Sequence, residues 1–170
     1  MIPEDLHDRA RALLADFRLP AGGGSSLAPW LGEKALDQRG IGRLLDHTLV
    51  RADATKRDIH RHCQEAVAIG AVAVCVNGSW VSACTERLWG SKVKVSSVVG
   101  FPLGAMTGVA KAAEARLAIA DGAAEIEVVM AIGEALAGEW EHIDEEIEAV
   151  VQAAQGRTVK VILEAAALDS

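Results

Sequence analysis

The sequence predicts an α/β fold of the (β/α)8-barrel type, incomplete, with about five βα units. From residue 44 onward, short apolar segments alternate with segments of helical periodicity, and no hairpin turn joins two of them. In each predicted strand the polar side chains share one face. A barrel lumen explains one polar face per strand, whereas an open sheet covered on both sides by helices would need separate partners for these groups.

Residues 1–40 are predicted to form an extension ahead of a partial barrel domain at residues 41–170. Within the extension, residues 3–17 have the pattern of an amphipathic helix, and a Gly-rich connector follows at residues 19–29. The apolar stripe of the predicted helix consists of Leu6, Ala10, Leu13, Leu14 and Phe17.

The first two βα units begin with a strand at residues 44–49. Asp53 or Thr55 is expected to cap the N-terminus of the first helix, at residues 56–70. A strand at 72–76 and a helix at 78–88 follow. The residues expected to face the sheet are Ile59, Cys63, Ala66 and Val67 in the first helix and Val81, Cys84 and Leu88 in the second.

The remaining units begin with a strand at 93–99, closed by G-F-P-L-G, and a helix at 107–121. The next strand lies within residues 122–130, an acidic amphipathic helix follows, and the fifth strand is at 159–164. The inward positions are predicted to be Val109, Ala113, Leu117 and Ala120 in the helix at 107–121, and Ile143, Ile147, Val150, Val151 and Ala154 in the acidic helix.

Nucleotide-binding folds of the Rossmann and P-loop types are not supported by the motifs. The first strand–helix turn reads R-A-D-A-T and has no G-x-G-x-x-G, and no GxxxxGK[ST] occurs in the sequence.

The net charge of −7 argues against nucleic acid as a partner. No apolar run approaches the roughly 20 residues of a membrane helix, and residues 1–20 do not resemble a targeting signal, so we expect no membrane partner and a cytoplasmic protein.

Alternation along the strands collects polar and ionisable residues on the predicted lumen face. They are Asp46 and Thr48, Cys75 and Asn77, Lys94 and Ser96, Glu125 and Glu127, and Lys160 and Glu164. Two carboxylates on a buried strand are costly unless a positive charge compensates them, and Lys160 can pair with Glu127 if the fourth and fifth strands are neighbours. With Asp46 they form a predicted proton-transfer site for a carbonyl substrate. A structural ion pair is the alternative.

Other polar and aromatic residues are predicted to have structural roles. His47 falls on the face opposite the lumen and should pack, whereas His60 and His62 are expected on the exposed surface, with no metal site. Lys94, early in its strand, is expected to extend out of the barrel floor. Trp80 and Trp89 should pack on helices, residues 139–148 should form a solvated acidic face, and the three cysteines should be buried thiols.

Five motifs follow one another from residue 44 to residue 168. They are L-L-D-H-T-L-V-R-A-D-A-T, A-V-C-V-N, V-V-G-F-P-L-G-A, K-A-A-E-A-R-L-A-I-A-D-G-A-A-E-I-E-V-V-M-A-I-G and V-K-V-I-L-E. Together they resemble the 2-deoxy-D-ribose 5-phosphate aldolase family. The resemblance implies a (β/α)8 barrel and a class I aldolase that works without a metal or other cofactor. Such an enzyme splits deoxyribose 5-phosphate into acetaldehyde and glyceraldehyde 3-phosphate through a lysine Schiff base.

The resemblance also assigns roles to individual residues. Asp46 and Thr48 match the aspartate and threonine of the family's first strand, and Cys75 matches a cysteine beside the substrate. Glu127 stands where the family has the aspartate of its proton relay. Lys160 matches a fifth-strand lysine near the site, which is not the Schiff-base lysine. The resemblance thus implies Glu127, Lys160 and Asp46 as catalytic residues and Thr48 and Cys75 as substrate-binding residues.

The family's nucleophilic lysine lies in a K-T-S-T-G motif on the sixth strand, and this motif is absent from the sequence. Ala131 also stands where the family commonly has Asn. We therefore expect the chain alone to be a poor or inactive aldolase. It is a truncated aldolase, a degenerate relative with a binding role, or a chain whose open strand edge is completed by another copy or partner.

Overall fold

The structure, a computed structural model, describes residues 42–168. The predicted N-terminal helix and Gly-rich connector lie outside these residues, so the domain boundary at residue 40 remains a prediction. The described strands are β1 (Asp46–Leu49), β2 (Ala73–Val76), β3 (Lys94–Val99), β4 (Glu125–Val129) and β5 (Thr158–Ile162). The helices are α1 (Lys56–Ile69), α2 (Val81–Arg87), α3 (Gly108–Ala120), α4 (Ile132–Ala137), α5 (Trp140–Ala153) and α6 (Ala165–Leu168), and a 3-10 turn (Gly78–Trp80) precedes α2.

The five strands form one parallel sheet in the order β1-β2-β3-β4-β5. Each strand pairs with the next along the chain, and helices connect all of them. This confirms the predicted partial (β/α) barrel. Parallel strands require crossover connections, which explains why the sequence shows helical segments between strands and no hairpin turns.

The start of α1 shows how the sequence fixes a helix boundary. The Thr55 hydroxyl accepts a hydrogen bond from the Asp58 amide at 3.3 Å, and the Asp58 carboxylate accepts one from the Thr55 amide at 3.0 Å. This reciprocal arrangement is a capping box, and it satisfies amides that the first turn leaves without partners. The helix ends at Ile69, and the next residue, Gly70, caps it with a φ of 69°, which glycine readily adopts.

The main hydrophobic core lies between the sheet and the helices. The sheet side of the core consists of Val74, Val76, Val95, Val99, Ile126 and Val128. The helix side includes Ile59, Ala66, Val81, Cys84, Ala115, Ala118 and Val150. The apolar face of each strand therefore packs against helices, as the alternation predicts, and the polar face is left for the lumen.

The orientation predicted for α3 is wrong. Val109 and Leu117 are 77% and 68% exposed, whereas Lys111 is fully buried. The Lys111 ammonium donates to the Glu146 carboxylate of α5 at 2.7 Å, and alanines form most of the remaining buried face. Small residues allow close helix packing and the ion pair compensates the buried charge, so the largest apolar side chains of α3 do not mark its inward face.

Other predictions of burial also fail. Val67 and Val151 are about half exposed and Trp89, in the turn after α2, is 88% exposed. Conversely, Glu146 is buried although it lies in the segment predicted as a solvated acidic face. Cys63, Cys75 and Cys84 are buried free thiols, as predicted.

Candidate active site

Lys160 of β5 lies at the centre of a cluster of carboxylates on the lumen face of the sheet. Its Nζ is 2.6 Å from Asp46 Oδ2, 2.7 Å from Glu125 Oε2 and 3.5 Å from Glu127 Oε1. The three acidic residues come from β1 and β4. The structure therefore brings together the three predicted catalytic residues and adds Glu125.

Strand register explains this convergence. Glu127 and Lys160 are direct partners in the β4–β5 ladder, and Glu125 lies two residues before Glu127 on the same face of β4. Asp46 is on β1, at the opposite edge of the sheet. It reaches Lys160 because the sheet curves around the lumen.

The surroundings of Lys160 stabilise its ammonium form. Partial burial by itself lowers the pKa of Lys160, but the hydrogen bonds to Asp46 and Glu125 outweigh it and the pKa lies above its ordinary value. An amine nucleophile must be neutral to attack a carbonyl. Lys160 is thus suited to hold positive charge in the site and unsuited to form a Schiff base.

Glu127 is oriented by two donors from the neighbouring strands. The Ser96 hydroxyl donates to Glu127 Oε1 at 2.8 Å, and the Cys75 thiol donates to Glu127 Oε2 at 3.2 Å. Ser96 and Cys75 are both fully buried. Two directed hydrogen bonds and a neighbouring ammonium fix the position of a carboxylate, which a group that transfers protons at a defined carbon requires.

Cys75 is a hydrogen-bond donor and a poor nucleophile. Burial raises the pKa of its thiol, and the negative charge of Glu127 raises it further. The thiol therefore stays protonated at neutral pH. In the structure Cys75 lies in the cluster and donates to Glu127, and its contact with substrate stays a prediction.

Glu125 and Lys94 form a second ion pair at the end of the lumen where the strands begin. The Lys94 ammonium is 2.6 Å from Glu125 Oε1. Burial alone would raise the pKa of Glu125, but its hydrogen bonds with Lys160 and Lys94 lower the pKa below its ordinary value. Lys94 remains half exposed, in keeping with its predicted place at the barrel floor. Glu125 bridges the two lysines.

Three residues of the cluster were missing from the predicted site: Glu125, Lys94 and Ser96. Strand alternation placed all three on the lumen face, which was the available signal. The sequence could not show that the Ser96 hydroxyl and the Glu125 carboxylate approach the other groups closely.

Asp46 and Thr48 differ in their relation to the cluster. Asp46 Oδ2 contacts Lys160, while Asp46 Oδ1 is buried and has no hydrogen-bond partner among residues 42–168. Thr48 is exposed and donates to the backbone carbonyl of Asp46 at 2.9 Å. The structure therefore leaves one acceptor of Asp46 open for a donor and keeps Thr48 outside the ion-pair network.

A histidine pair occupies the other side of β1. The rings of His47 and His62 stack with centroids 4.2 Å apart, and His62 is buried, so the predicted exposure of His62 is wrong. His62 Nε2 donates to the His47 carbonyl at 2.9 Å, and His47 Nε2 lies 3.1 Å from Glu65. Burial, followed by the nearby His47, lowers the pKa of His62, so its ring is neutral at pH 7.

The two histidines and Glu65 are the one group within residues 42–168 whose ligand atoms lie within 4.8 Å of one another. An imidazole binds a metal along the plane of its ring. Because the rings are inclined by only 20°, their lone pairs do not converge on one ion in this arrangement.

Among residues 42–168, no helix combines the length and the apolar character needed to cross a membrane.

Comparisons with known proteins identify the family of this chain. The model of the DeoC/LacD family aldolases matches residues 40–169. The chain is 46% identical to the deoxyribose-phosphate aldolase of Geobacillus sp. (strain WCH70) over 132 residues, covering 77% of this chain and 59% of that protein. It is also 46% identical to the deoxyribose-phosphate aldolase of Bdellovibrio bacteriovorus over 129 residues, covering 76% of this chain and 59% of that protein.

A solved structure extends the similarity to three dimensions. The deoxyribose phosphate aldolase of Aeropyrum pernix superposes with a TM-score of 0.67 at 30% identity, over 76% of this chain and 54% of the other. The chain thus spans about three fifths of the length of the curated relatives it matches. With a family model that matches most of its residues, this chain belongs to the DeoC/LacD family of aldolases.

Proposed function

We propose that this chain supplies the proton-transfer half of a deoxyribose-phosphate aldolase site. Glu127 moves a proton to and from the carbon that becomes the methyl group of acetaldehyde. Lys160, held as an ammonium by Asp46, lies beside Glu127 and polarises oxygen atoms of the substrate. Cys75 and Ser96 hold the Glu127 carboxylate, and Thr48, at the exposed end of β1, contacts the sugar. The substrate is a small phosphorylated sugar.

The contact of Lys160, on the edge strand β5, with Asp46 on the other edge strand and with Glu127 on β4 carries this proposal. It creates a fixed charged group on the face where barrel enzymes bind substrate. Similarity to deoxyribose-phosphate aldolases at 46% identity supplies the reaction class. The net charge of −7 favours a small-molecule substrate over nucleic acid. A cytoplasmic location without a membrane partner is part of the proposal.

Lys160 is kept charged, and Lys94 is paired with Glu125 where the strands begin, so we infer that the Schiff-base lysine of such a reaction comes from outside the described cluster. We propose that it is provided by polypeptide that pairs with the free edge of β5, either in continuation of this chain or from a second chain. Val161 and Leu163 leave apolar surface at that edge, at 38% and 55% exposure. The Aeropyrum pernix aldolase is tetrameric, and self-association of this chain is part of the proposal.

A chimera tests the assignment of Glu127. Residues 42–168 would be joined to the part of the Geobacillus aldolase that lies beyond the matched region, and Glu127→Gln would be compared with Glu134→Gln, an exposed control. We expect borohydride to trap an acetaldehyde adduct in all three proteins. Exchange of the acetaldehyde methyl protons with deuterium oxide should fall about 10²–10⁴-fold in Glu127→Gln alone. An unchanged exchange rate would remove Glu127 from the mechanism.

The alternative is a binding or assembly protein without aldolase activity. The ion pairs of Lys160 and Lys94 with Asp46 and Glu125 favour it, since such pairs also occur with a purely structural role. This alternative predicts that the chimera forms no adduct, and that the chain alone still binds a sugar phosphate. Isothermal titration with deoxyribose 5-phosphate measures that binding, and Asp46→Asn is the variant expected to weaken it.

A further inference from the structure

A groove runs between α3 and α5 on the outer side of the barrel, away from the ion-pair cluster. Two adjoining depressions of about 940 and about 330 Å³ form it, and both are lined by Val109 and Ala149. The first depression opens near Gly104 and Ile132, where strands β3 and β4 end, and the second reaches Gln155, just after α5. The groove therefore follows α3 from Gly108 to Arg116 and α5 to its end.

The groove has small residues on its floor and exposed apolar residues on its walls. Gly108, Ala112 and Ala153 line it. Leu103, Met106 and Val109, which also line it, are 72%, 42% and 77% exposed, and no residue between 42 and 168 covers them. A contiguous apolar channel of this kind is typical of a site that accepts an amphipathic helix.

We propose that residues 3–17 of the same chain dock in this groove as an amphipathic helix. At about 100° per residue, their apolar residues form one stripe, described above. Arg9 and Arg18 fall at opposite margins of that stripe. Asp16 lies slightly further from the stripe than either arginine, and Asp8 falls on the far side. Such a helix presents apolar surface bordered by positive charge. The first depression offers the complement to Arg9, because Glu134 and Glu145 lie on its lining, whereas Arg116 lines the second depression.

The segment between the proposed helix and Gly42, residues 18–41, has the length that this docking needs. Gly42 packs against the backbone carbonyls of Ile69 and Gly70, at the end of α1. This is the end of the sheet where strands begin, and α5 terminates at the same end. Packed helices lie about 8–10 Å apart, so the groove is roughly 25 Å from α1. Residues 18–41 number 24, and a flexible linker of that length would span roughly 25–30 Å.

Entry from that end sets the register of the docked helix. With Arg18 beside Ala153, the last residue of α5, Arg9 lies about 13–14 Å further along the groove. Glu145 lies eight residues before Ala153, or about 12 Å along α5. Arg9 therefore reaches the level of Glu145. We expect this pair to set the direction of docking and the apolar contacts to supply most of its affinity.

Hydrogen–deuterium exchange of the full chain tests the docking. An isolated helix of 15 residues is marginal in water, so protection of the amides at 6–17 reports contact with the barrel. We expect protection in the wild type, its loss in Val109→Asp, and its retention in Leu117→Asp. Both residues are exposed on α3, but Leu117 does not line the groove. Absence of protection in the wild type, or equal loss in both variants, overturns the proposal.

Charge-reversal variants and dilution distinguish docking of residues 3–17 from docking of a second copy of the chain. Glu145→Arg should reduce the protection, the double variant Arg9→Glu with Glu145→Arg should restore it, and Asp144→Arg, outside the groove, should leave it unchanged. Light scattering supplies the mass at each concentration. Protection that disappears on dilution together with a halving of the mass assigns the groove to a second copy and overturns intramolecular docking. Failure of the double variant to restore protection overturns the register.

Discussion

Lys160 of β5 and Asp46 of β1 lie 2.6 Å apart although their strands are the two edges of the described sheet. Four strand spacings of about 4.8 Å would separate these edges by roughly 19 Å in a flat sheet. A lysine and an aspartate side chain cannot bridge that distance. The contact therefore requires a sheet curved into part of a barrel. Glu125 and Glu127 need no such curvature, because they lie on β4, the neighbour of β5.

Removal of Lys160 should destabilise the barrel. Lys160→Met leaves three carboxylates close together with only Lys94 to compensate them. Because the Lys160 side chain is 35% exposed, the loss should remain below the roughly 3–5 kcal/mol that breaking a fully buried pair costs. Urea denaturation measures the change. Lys92→Met, at an exposed position, should alter stability little, and equal effects of the two variants would contradict the central role of Lys160.

Alkaline pH should destabilise the protein partly through Cys75. The folded-state pKa of Cys75 is raised above the ordinary value of 9.0, so its contribution is complete below pH 9 and is lost as pH rises above that value. The pKa of Lys160 is raised above 10.5, so loss from Lys160 begins at higher pH. We expect the stability of Cys75→Ala to fall less between pH 9 and 10 than that of the wild type. Parallel pH profiles would show that Cys75 does not contribute.

Acid should weaken the fold through Glu125. Its folded-state pKa lies below the ordinary 4.5, so its contribution is present above pH 4.5 and is lost as pH falls through the folded-state value. Glu125→Gln should therefore be less stable at neutral pH and less sensitive to acid than the wild type. Circular dichroism during acid titration measures this sensitivity. Glu86→Gln, at an exposed position, serves as the control and should behave as the wild type does.

The buried pair that joins α3 to α5 should show strong non-additivity. Lys111→Met alone leaves Glu146 with an uncompensated charge and should cost about 3–5 kcal/mol. The double variant Lys111→Met with Glu146→Met replaces both charges by apolar groups and should recover most of that loss. Urea denaturation of the two single variants and the double variant gives the coupling. If the stability lost in the double variant equals the sum of the losses in the two single variants, Lys111 and Glu146 do not stabilise each other.

Much of the site followed from strand alternation alone. Period-2 patterns assigned Asp46, Cys75, Glu127 and Lys160 to one face, and a parallel sheet then required them to share a lumen. Helix faces were less predictable. In α3 the large apolar residues Val109 and Leu117 face outward, because alanines and the Lys111–Glu146 pair form the contact with α5. A helical wheel weighs side chains by hydrophobicity, but burial depends also on which partner is available.

The sequence by itself determined the order of strands and helices, the polar face of each strand and the family to which the motifs point. These features are local, since they depend on periodicity and on residues adjacent in the chain. Only the tertiary structure decided that Lys160 contacts Asp46 and Glu125 more closely than Glu127, that Ser96 and Cys75 orient Glu127, and that His62 is buried. Such contacts depend on the curvature of the sheet and on side-chain conformations, which arise when distant strands and helices pack together.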